Sequence, residues 1–133
     1  MSSTRYLEKA ERALGGAELL LQAGEIEGAC NRAYYAMYDA AHAALLAVSA
    51  ADFKTTKTHR GLIAAFGHQL IQTNLLPRAL GRSLNEVEQV RLLADYTGDD
   101  VTAATALWAV EQARVFVAAV STMLQNAGTP PAV

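Results

Sequence analysis

The sequence predicts an all-α protein, a five-helix up-and-down antiparallel bundle. Apolar residues recur at spacings of three and four along each long segment, and no segment alternates apolar and polar residues as a strand would. Hydrophobic residues make up 52% and charged residues 18% of the 133 residues, which is typical of one domain with one core. We therefore expect a helical domain over residues 1–126 and a short flexible tail over 127–133.

The first two helices are predicted to form a hairpin. Ser3 or Thr4 is suited to cap a first helix that runs to about Ala23, because a side-chain oxygen there can accept from a free backbone N–H. Gly24 is suited to end it, and a second helix covers 28–48 after a very short turn. A connection this short predicts antiparallel neighbours.

Two glycines lie inside the predicted first helix. Gly15 and Gly16 each weaken a helix by roughly 1 kcal/mol relative to alanine. Tight packing against the second helix would be one reason to tolerate this cost.

The second helix carries two stripes of side chains. An apolar stripe consists of Cys30, Met37, Ala41, Ala44 and Val48. A polar-aromatic stripe at spacings of four, three and four consists of Asn31, Tyr35, Tyr38 and His42. These polar groups either satisfy one another between packed helices or belong to a functional site.

The third helix is predicted over 59–73, with Thr58 as its N-cap and Leu62, Phe66 and Leu70 facing inward. A Thr-rich polar stretch over 49–58 precedes it and is expected to be a loop. Residues 74–82 contain a proline and a glycine, which interrupt the helical pattern.

The last two helices follow clear start signals. Ser83 followed by Glu86 forms a capping box, so the fourth helix is expected to begin there and run to about Tyr96. The fifth is predicted from about Val101 to Gln125. Its expected inward residues are Leu107, Val110, Val117, Val120 and Leu124, with Trp108 and Phe116 adding bulk.

Charge is distributed unevenly along the chain. The net charge is −2, which provides no global attraction to nucleic acid. However, the segment Lys54–Arg82 contains five basic residues, two histidines and no acid. This basic segment is either a surface that meets phosphate or an acidic protein partner, or an ordinary solvated face.

Several classes of site are not supported by the sequence. It contains no phosphate-binding loop, no dinucleotide-binding glycine pattern and no HExxH zinc motif, and its histidines fall on different elements without paired cysteines. We therefore expect no metal and no cofactor. The N-terminal residues lack an apolar signal core, and the apolar runs are shorter than a membrane span of roughly 20 residues, so we expect a cytoplasmic protein without membrane contact.

The fourth helix contains the strongest candidate site. Arg91 and Asp95 are four residues apart, on one face, and Tyr96 follows them. An arginine that a carboxylate holds in place can bind phosphate through two hydrogen bonds. The alternative is a structural network that ties the fourth helix to the second through Asn31 or Tyr35.

Four segments in this order, NRAYYAMYDAAHAALL, KTHRGLIAAF, RLLADY and ALWAVEQARVFVAAV, resemble the HEPN domain, in particular its small stand-alone prokaryotic members. The resemblance extends from about Arg5 to Leu124. It implies a five-helix bundle, a two-fold homodimer and pairing with a small nucleotidyltransferase in toxin–antitoxin modules. Many members of this family are metal-independent ribonucleases.

The chain departs from the ribonuclease members at one position. They carry an arginine that is followed, about four to six residues later, by a histidine. Arg91 matches that arginine, but Tyr96 stands where the histidine is expected, and Asn31 matches a polar residue of the second helix. In a second variant of the family's motif, the partner nucleotidylates a tyrosine just beyond that histidine. In this chain Gly98 stands at the tyrosine's position, so that motif is not matched either.

Three functions follow from these observations. The first, which the missing histidine favours, is a non-enzymatic or degenerate HEPN module that binds a nucleotidyltransferase partner or a nucleotide-like ligand in a toxin–antitoxin type system. The second is a metal-independent ribonuclease toxin with an atypical site around Arg91, in which His59 or His42 replaces the missing base if folding or dimerisation brings it near. The third is a purely structural helical adaptor. The expected ligand-binding residues are Asn31, Arg32, Tyr35, His59 and Arg91, and the catalytic candidates are Arg91, Asp95 and Tyr96.

Overall fold

The structure, a computed structural model, describes residues 2–48, 58–96 and 100–127. Its helices are α1 (Ser3–Gln22), α2 (Ile26–Val48), α3 (His59–Phe66), α4 (Arg78–Tyr96) and α5 (Ala103–Ala127), and a π-helical segment, Gly67–Ile71, continues α3. No strand occurs within these ranges, and the predicted all-α five-helix fold is confirmed. The expected loop over 49–57 and the tail from residue 128 lie outside the described residues.

The α1–α2 hairpin forms as predicted. The cap is Ser2, one residue before the predicted pair, and its hydroxyl accepts from the Arg5 backbone N–H at 3.1 Å. Gly24 has a φ of 81°, a left-handed conformation that ends α1 and that other residues rarely adopt. The glycines inside α1 do not pack tightly: a Cβ added to Gly15 or Gly16 would meet nothing within 4 Å.

Helix α2 is the central element, because it contacts each of the other four helices. All alanines of α2 except Ala47 are fully buried, together with larger apolar residues. The fully enclosed side chains include Ala29, Ala33, Ala36, Met37, Ala40, Ala41, Ala43 and Ala44. Small side chains let the neighbouring helices approach α2 closely. As a result, residues of α3 and α4 come close to residues of α2.

Helix α3 begins where the sequence indicates, since the Thr58 hydroxyl accepts from the Gly61 N–H at 2.9 Å. The inward residues Leu62, Phe66 and Leu70 are all fully buried. A repeated spacing of four overshoots a turn of 3.6 residues. The wider turn of the π-helical segment brings Leu70 back onto the buried face.

Helix α4 begins earlier than predicted. It starts at Arg78, and Ser83 is a buried interior residue whose hydroxyl donates to the Leu80 carbonyl oxygen at 3.1 Å. The predicted capping box is therefore wrong. Pro77 directly precedes the helix and its carbonyl oxygen accepts from the Leu80 N–H at 3.0 Å, which suits a proline at a helix start.

Tertiary packing explains the extra turn of α4. Leu80 and Leu84 both lie in the core, so the segment gains more from burial than Gly81 costs in helix propensity. Gly81 also permits close approach, since a Cβ there would lie 3.2 Å from Ile71 Cγ1.

Helix α5 packs against α2 and α1. Its buried residues are Ala106, Ala109, Val110, Ala113, Phe116, Val117 and Val120, whereas Leu107 is 48% exposed. The inward assignment of Leu107 was wrong because Ala106 and Ala109 lie on the face of α5 that contacts the core. With a mean hydropathy of 1.3, the segment Ala103–Asn126 of α5 is long and apolar enough to cross a membrane. Core helices commonly have the same length and composition.

Candidate functional site

A cluster of polar and aromatic side chains lies where α2, α3 and α4 meet. We call it the α2–α4 cluster, and its members are Tyr34, Tyr35 and Tyr38 from α2, His59 from α3, and Glu88 and Arg91 from α4. The three tyrosines share neighbouring positions on one side of α2 because they are spaced by one and three residues. The Thr58 cap holds His59 in the first turn of α3.

Tyr34 connects the three helices. Its hydroxyl lies 2.7 Å from His59 Nδ1 and 3.4 Å from Glu88 Oε2, and its ring is fully buried. Burial is the largest cause, and the Glu88 charge the next, of a raised Tyr34 pKa, although Arg91 acts in the opposite direction. The hydroxyl therefore keeps its proton at neutral pH and can donate only once.

The surroundings of Glu88 favour one direction for that proton. Glu88 is 3% exposed, and the Tyr34 hydroxyl is its hydrogen-bond donor in the described part of the chain. A buried carboxylate that lacks a donor is strongly destabilised. If Tyr34 donates to Glu88, the short contact is a hydrogen bond from His59 Nδ1–H to the tyrosine oxygen, and His59 Nε2 then carries a lone pair.

His59 is held as a neutral imidazole. Burial first, and the Arg91 charge second, lower its pKa, while Glu88 acts to raise it. Its ring stacks on Tyr38, with centroids 4.4 Å apart and planes inclined by 25°. A fixed, neutral imidazole with a free Nε2 lone pair is able to accept a proton near pH 7.

Arg91 supplies the positive charge of the cluster. Its guanidinium carbon lies 4.7 Å from the centroid of the Tyr34 ring and 5.9 Å from that of Tyr35. One terminal nitrogen donates to Asp95 Oδ2 at 3.2 Å, so the predicted pair is present. The side chain is 11% exposed, and its buried Nε–H has no acceptor among the described residues. An oxyanion that entered the cluster would satisfy such a donor.

The other predicted site residues are Tyr35, Asn31 and Tyr96, and each is placed differently relative to Arg91. Tyr35 lies between two cations, since the exposed Arg32 guanidinium is 5.6 Å from its ring. Asn31 is half-buried and forms no hydrogen bond with Arg91 among the described contacts. Tyr96 ends α4, and its side chain lies outside what the structure describes.

His42 lies further along the same aromatic row. Its ring centroid is 4.7 Å from that of Tyr38 and 4.6 Å from that of Tyr6. It is 8% exposed, so it belongs to the packed interior behind the cluster. Of the two histidines considered as substitute bases, the structure brings His59 to Tyr34 and Glu88.

The sequence interpretation missed Tyr34 and Glu88. Glu88 carried a signal, because it adjoins Val87 and lies four residues after Leu84, on the face that enters the core. An acid on a buried face needs a partner. Tyr34 carried no such signal, because it lies beside the polar-aromatic stripe rather than in it.

The cluster combines a base with a cation that can stabilise a developing negative charge. Within residues 2–48, 58–96 and 100–127, no three His, Cys, Asp or Glu side chains come together as a metal site would require. The arrangement is suited to proton transfer at a phosphate ester, with the charge stabilised by a guanidinium.

The fold and the cluster define a class of small helical proteins with a polar site between the second and fourth helices. The chain belongs to the HEPN domain family, whose model matches residues 3–123. It is 35% identical to a UPF0332 protein of Gloeobacter violaceus over 69% of this chain and 70% of that one. It is 32% identical to a Methanocaldococcus jannaschii protein named "Putative toxin MJ0605" over 84% of this chain and 80% of that one. A second protein of that organism, named "Putative toxin MJ0142", is 33% identical over 69% of this chain and 60% of its own length.

Proposed function

We propose that this HEPN protein is the toxin of a toxin–antitoxin type system, and that the α2–α4 cluster is a metal-independent RNA-cleaving centre. One observation carries the proposal: the Tyr34 hydroxyl lies 2.7 Å from His59 Nδ1 while its ring lies 4.7 Å from the Arg91 guanidinium carbon. The absence of a histidine after Arg91 had favoured a binding module. His59, from another helix, supplies an imidazole against the same tyrosine.

The proposed reaction is an internal transfer within RNA. His59 Nε2 accepts the proton of a ribose 2′-hydroxyl, whose oxygen attacks the adjacent phosphorus. The new O2′–P bond forms, the P–O5′ bond breaks, and the imidazolium returns its proton to the leaving 5′-oxygen. The products are a 2′,3′-cyclic phosphate and a 5′-hydroxyl. Arg91 stabilises the negative charge that develops on the non-bridging phosphate oxygens.

Glu88 and Tyr34 assist this step through His59. When His59 becomes positively charged, its Nδ1–H donates to the Tyr34 oxygen and the Tyr34 hydroxyl donates to the Glu88 carboxylate. A negative charge at the far end of this chain of hydrogen bonds favours the imidazolium. Tyr34 and Glu88 are thus positioning residues rather than reacting groups.

The proposal includes the assemblies that the family resemblance implies. These are a homodimer and a small nucleotidyltransferase partner that controls the toxin, acting in the cytoplasm. Two relatives have names that contain the word toxin, and those names describe the relatives themselves. The support for these partners is resemblance and not a contact in the structure.

A second function is favoured by the burial of Arg91. With 11% of its side chain exposed, the guanidinium offers a small surface to a phosphate. A module that binds a nucleotide-like ligand or a partner, without cleaving RNA, needs only that surface. The two functions differ in whether RNA is cut.

Cleavage of single-stranded RNA and tRNA by the purified protein in EDTA tests the proposal. We expect wild-type cleavage with cyclic-phosphate ends, a loss of about 100-fold or more in His59→Gln, and a similar loss in Arg91→Lys, which keeps the charge but not the fork. Arg114→Lys, an exposed arginine paired with Glu18, is the matched control and should change the rate less than about twofold. Undiminished cleavage in His59→Gln would contradict the mechanism, and no cleavage by folded wild type would favour the binding module.

A further inference from the structure

A basic groove lies between the α3 end of the bundle and α4. It has a volume of about 530 Å³ and is walled by α3, the π-helical segment and α4. Three arginines, Arg60, Arg78 and Arg82, line it, and none of its lining residues in the described part of the chain is acidic. We call these residues the groove arginines. They all come from the basic segment Lys54–Arg82, whose arginines have no role in the cleavage centre.

Within residues 2–48, 58–96 and 100–127, no carboxylate neutralises the groove arginines. All three are exposed, and none forms an ion pair with another described residue. By contrast, Arg5, Arg91 and Arg114 each have a carboxylate partner. An unpaired guanidinium keeps all its donors for a ligand, and its planar fork matches the oxygens of a phosphate.

The groove adjoins the cleavage centre through α3. Arg60 follows His59 directly in the first turn of that helix, and both positions are fixed by the Thr58 cap. Gly67 lines the groove and faces open space, since a Cβ there would meet nothing within 4 Å. A chain that passes from the groove towards His59 therefore meets a series of positive charges first.

We propose that this groove binds the phosphodiester backbone of the RNA strand, beside the scissile phosphate. The assignment rests on the proposed function, because a strand cut at His59 must continue past Arg60. Two arginines one helical turn apart on α4, Arg78 and Arg82, present their forks along the same wall. The contacts are to phosphates, so the groove strengthens binding without selecting a base sequence.

Binding is measured apart from cleavage by using a fluorescent 2′-O-methyl oligouridine, which lacks the attacking hydroxyl. Fluorescence anisotropy of the full chain compares wild type with the triple variant Arg60→Gln, Arg78→Gln, Arg82→Gln. The matched control is Arg5→Gln, Arg12→Gln, Arg114→Gln, which removes the same charge from exposed arginines elsewhere. We expect a loss of affinity of about tenfold or more in the groove variant and about twofold or less in the control.

The salt dependence of binding is a second readout. Each lost phosphate contact lowers the slope of log K against log salt by about 0.7 for single strands, so the groove variant should lose about 2 in slope. Equal losses of affinity and slope in the two triple variants would overturn the proposal, because the effect would then be one of net charge. Unchanged affinity in the groove variant would also overturn it.

Two further measurements separate the outcomes. Folded wild-type protein that binds the oligomer through the groove arginines but cleaves no RNA supports the groove while removing the proposed function. If the groove arginines are needed to bind polyglutamate but not the oligomer, the occupant is an acidic protein segment and the RNA assignment is overturned. Should the triple variant lose its helical circular dichroism, Arg82→Gln against Arg12→Gln makes the same comparison, with about a threefold loss expected.

Discussion

At the scale of the residue, Tyr34 determines how the site works. It is the one side chain that touches His59, Glu88 and Arg91 together among the described residues. Because its pKa is raised by burial, its hydroxyl remains a neutral link between a carboxylate and an imidazole. The tautomer of His59 therefore depends on a residue that never meets a substrate.

Replacing Tyr34 by phenylalanine tests this dependence through stability. Tyr34→Phe should lower the free energy of unfolding by about 1–3 kcal/mol, because the buried Glu88 carboxylate loses its donor. The double variant Tyr34→Phe, Glu88→Leu should recover most of the loss, since both polar partners are then gone. Urea denaturation at pH 7 measures both.

Tyr38→Phe is the control for that measurement, because the Tyr38 hydroxyl forms no hydrogen bond among the described contacts. It should change the free energy of unfolding by less than about 0.5 kcal/mol. Equal losses in Tyr34→Phe and Tyr38→Phe would show that the link through Tyr34 is not special.

At the scale of the element, glycine has opposite effects in two helices. In α1, Gly15 faces open space and lies in the helix interior, so its flexibility is a cost without a packing benefit. In α4, Gly81 lets the helix approach Ile71, because a Cβ there would lie 3.2 Å from Ile71 Cγ1. The same residue type thus weakens one helix and allows another to pack.

Alanine substitutions measure this contrast. Gly15→Ala should raise the free energy of unfolding by roughly 0.5–1 kcal/mol, because the propensity gain meets no steric cost. Gly81→Ala should give no gain, because displacement of the half-buried Ile71 side chain offsets the same propensity term. Thermal melting and urea denaturation report both, and a gain in Gly81→Ala as large as that in Gly15→Ala would contradict the close-approach argument.

At the scale of the whole molecule, the fold buries titratable groups, so its stability depends on pH. Burial, then the charges of Lys9 and His59, lower the pKa of His42 from its ordinary value of 6.5 to about 4. Asp39 acts in the opposite direction near its own ordinary pKa, because burial raises its pKa. The lowered pKa of His42 alone makes the interior around α2 less stable at acidic pH than at neutral pH.

The His42 shift predicts the direction of acid destabilisation. In the unfolded chain His42 becomes protonated below pH 6.5, whereas in the folded chain it stays neutral down to about pH 4. Stability therefore falls as the pH decreases through this window. The full effect is roughly 3 kcal/mol. In His42→Leu the fall in the free energy of unfolding from pH 7 to pH 4.5 should be smaller than in wild type. An identical fall in both would remove His42 as its cause.

The helical periodicity of the sequence was enough to predict the bundle, and short-range signals correctly placed the start of α3 and the end of α1. The same signals failed at the start of α4, where Ser83 and Glu86 resemble a cap. Burial of Leu80 and Leu84 extends that helix backwards to Arg78. Local propensities are a few tenths to 1 kcal/mol per residue, and tertiary burial exceeds them.

The Arg91–Asp95 pair could be predicted because it is set by spacing within one helix. The approach of His59 to Tyr34 could not, because these residues are on different helices and only packing brings them together. The sequence by itself therefore determined the helical class, the family and the position of the cation. The tertiary structure alone decided which histidine accompanies that cation, and which buried acid orients this histidine. The reason is that contacts between helices depend on the packing of the whole core and not on local spacing.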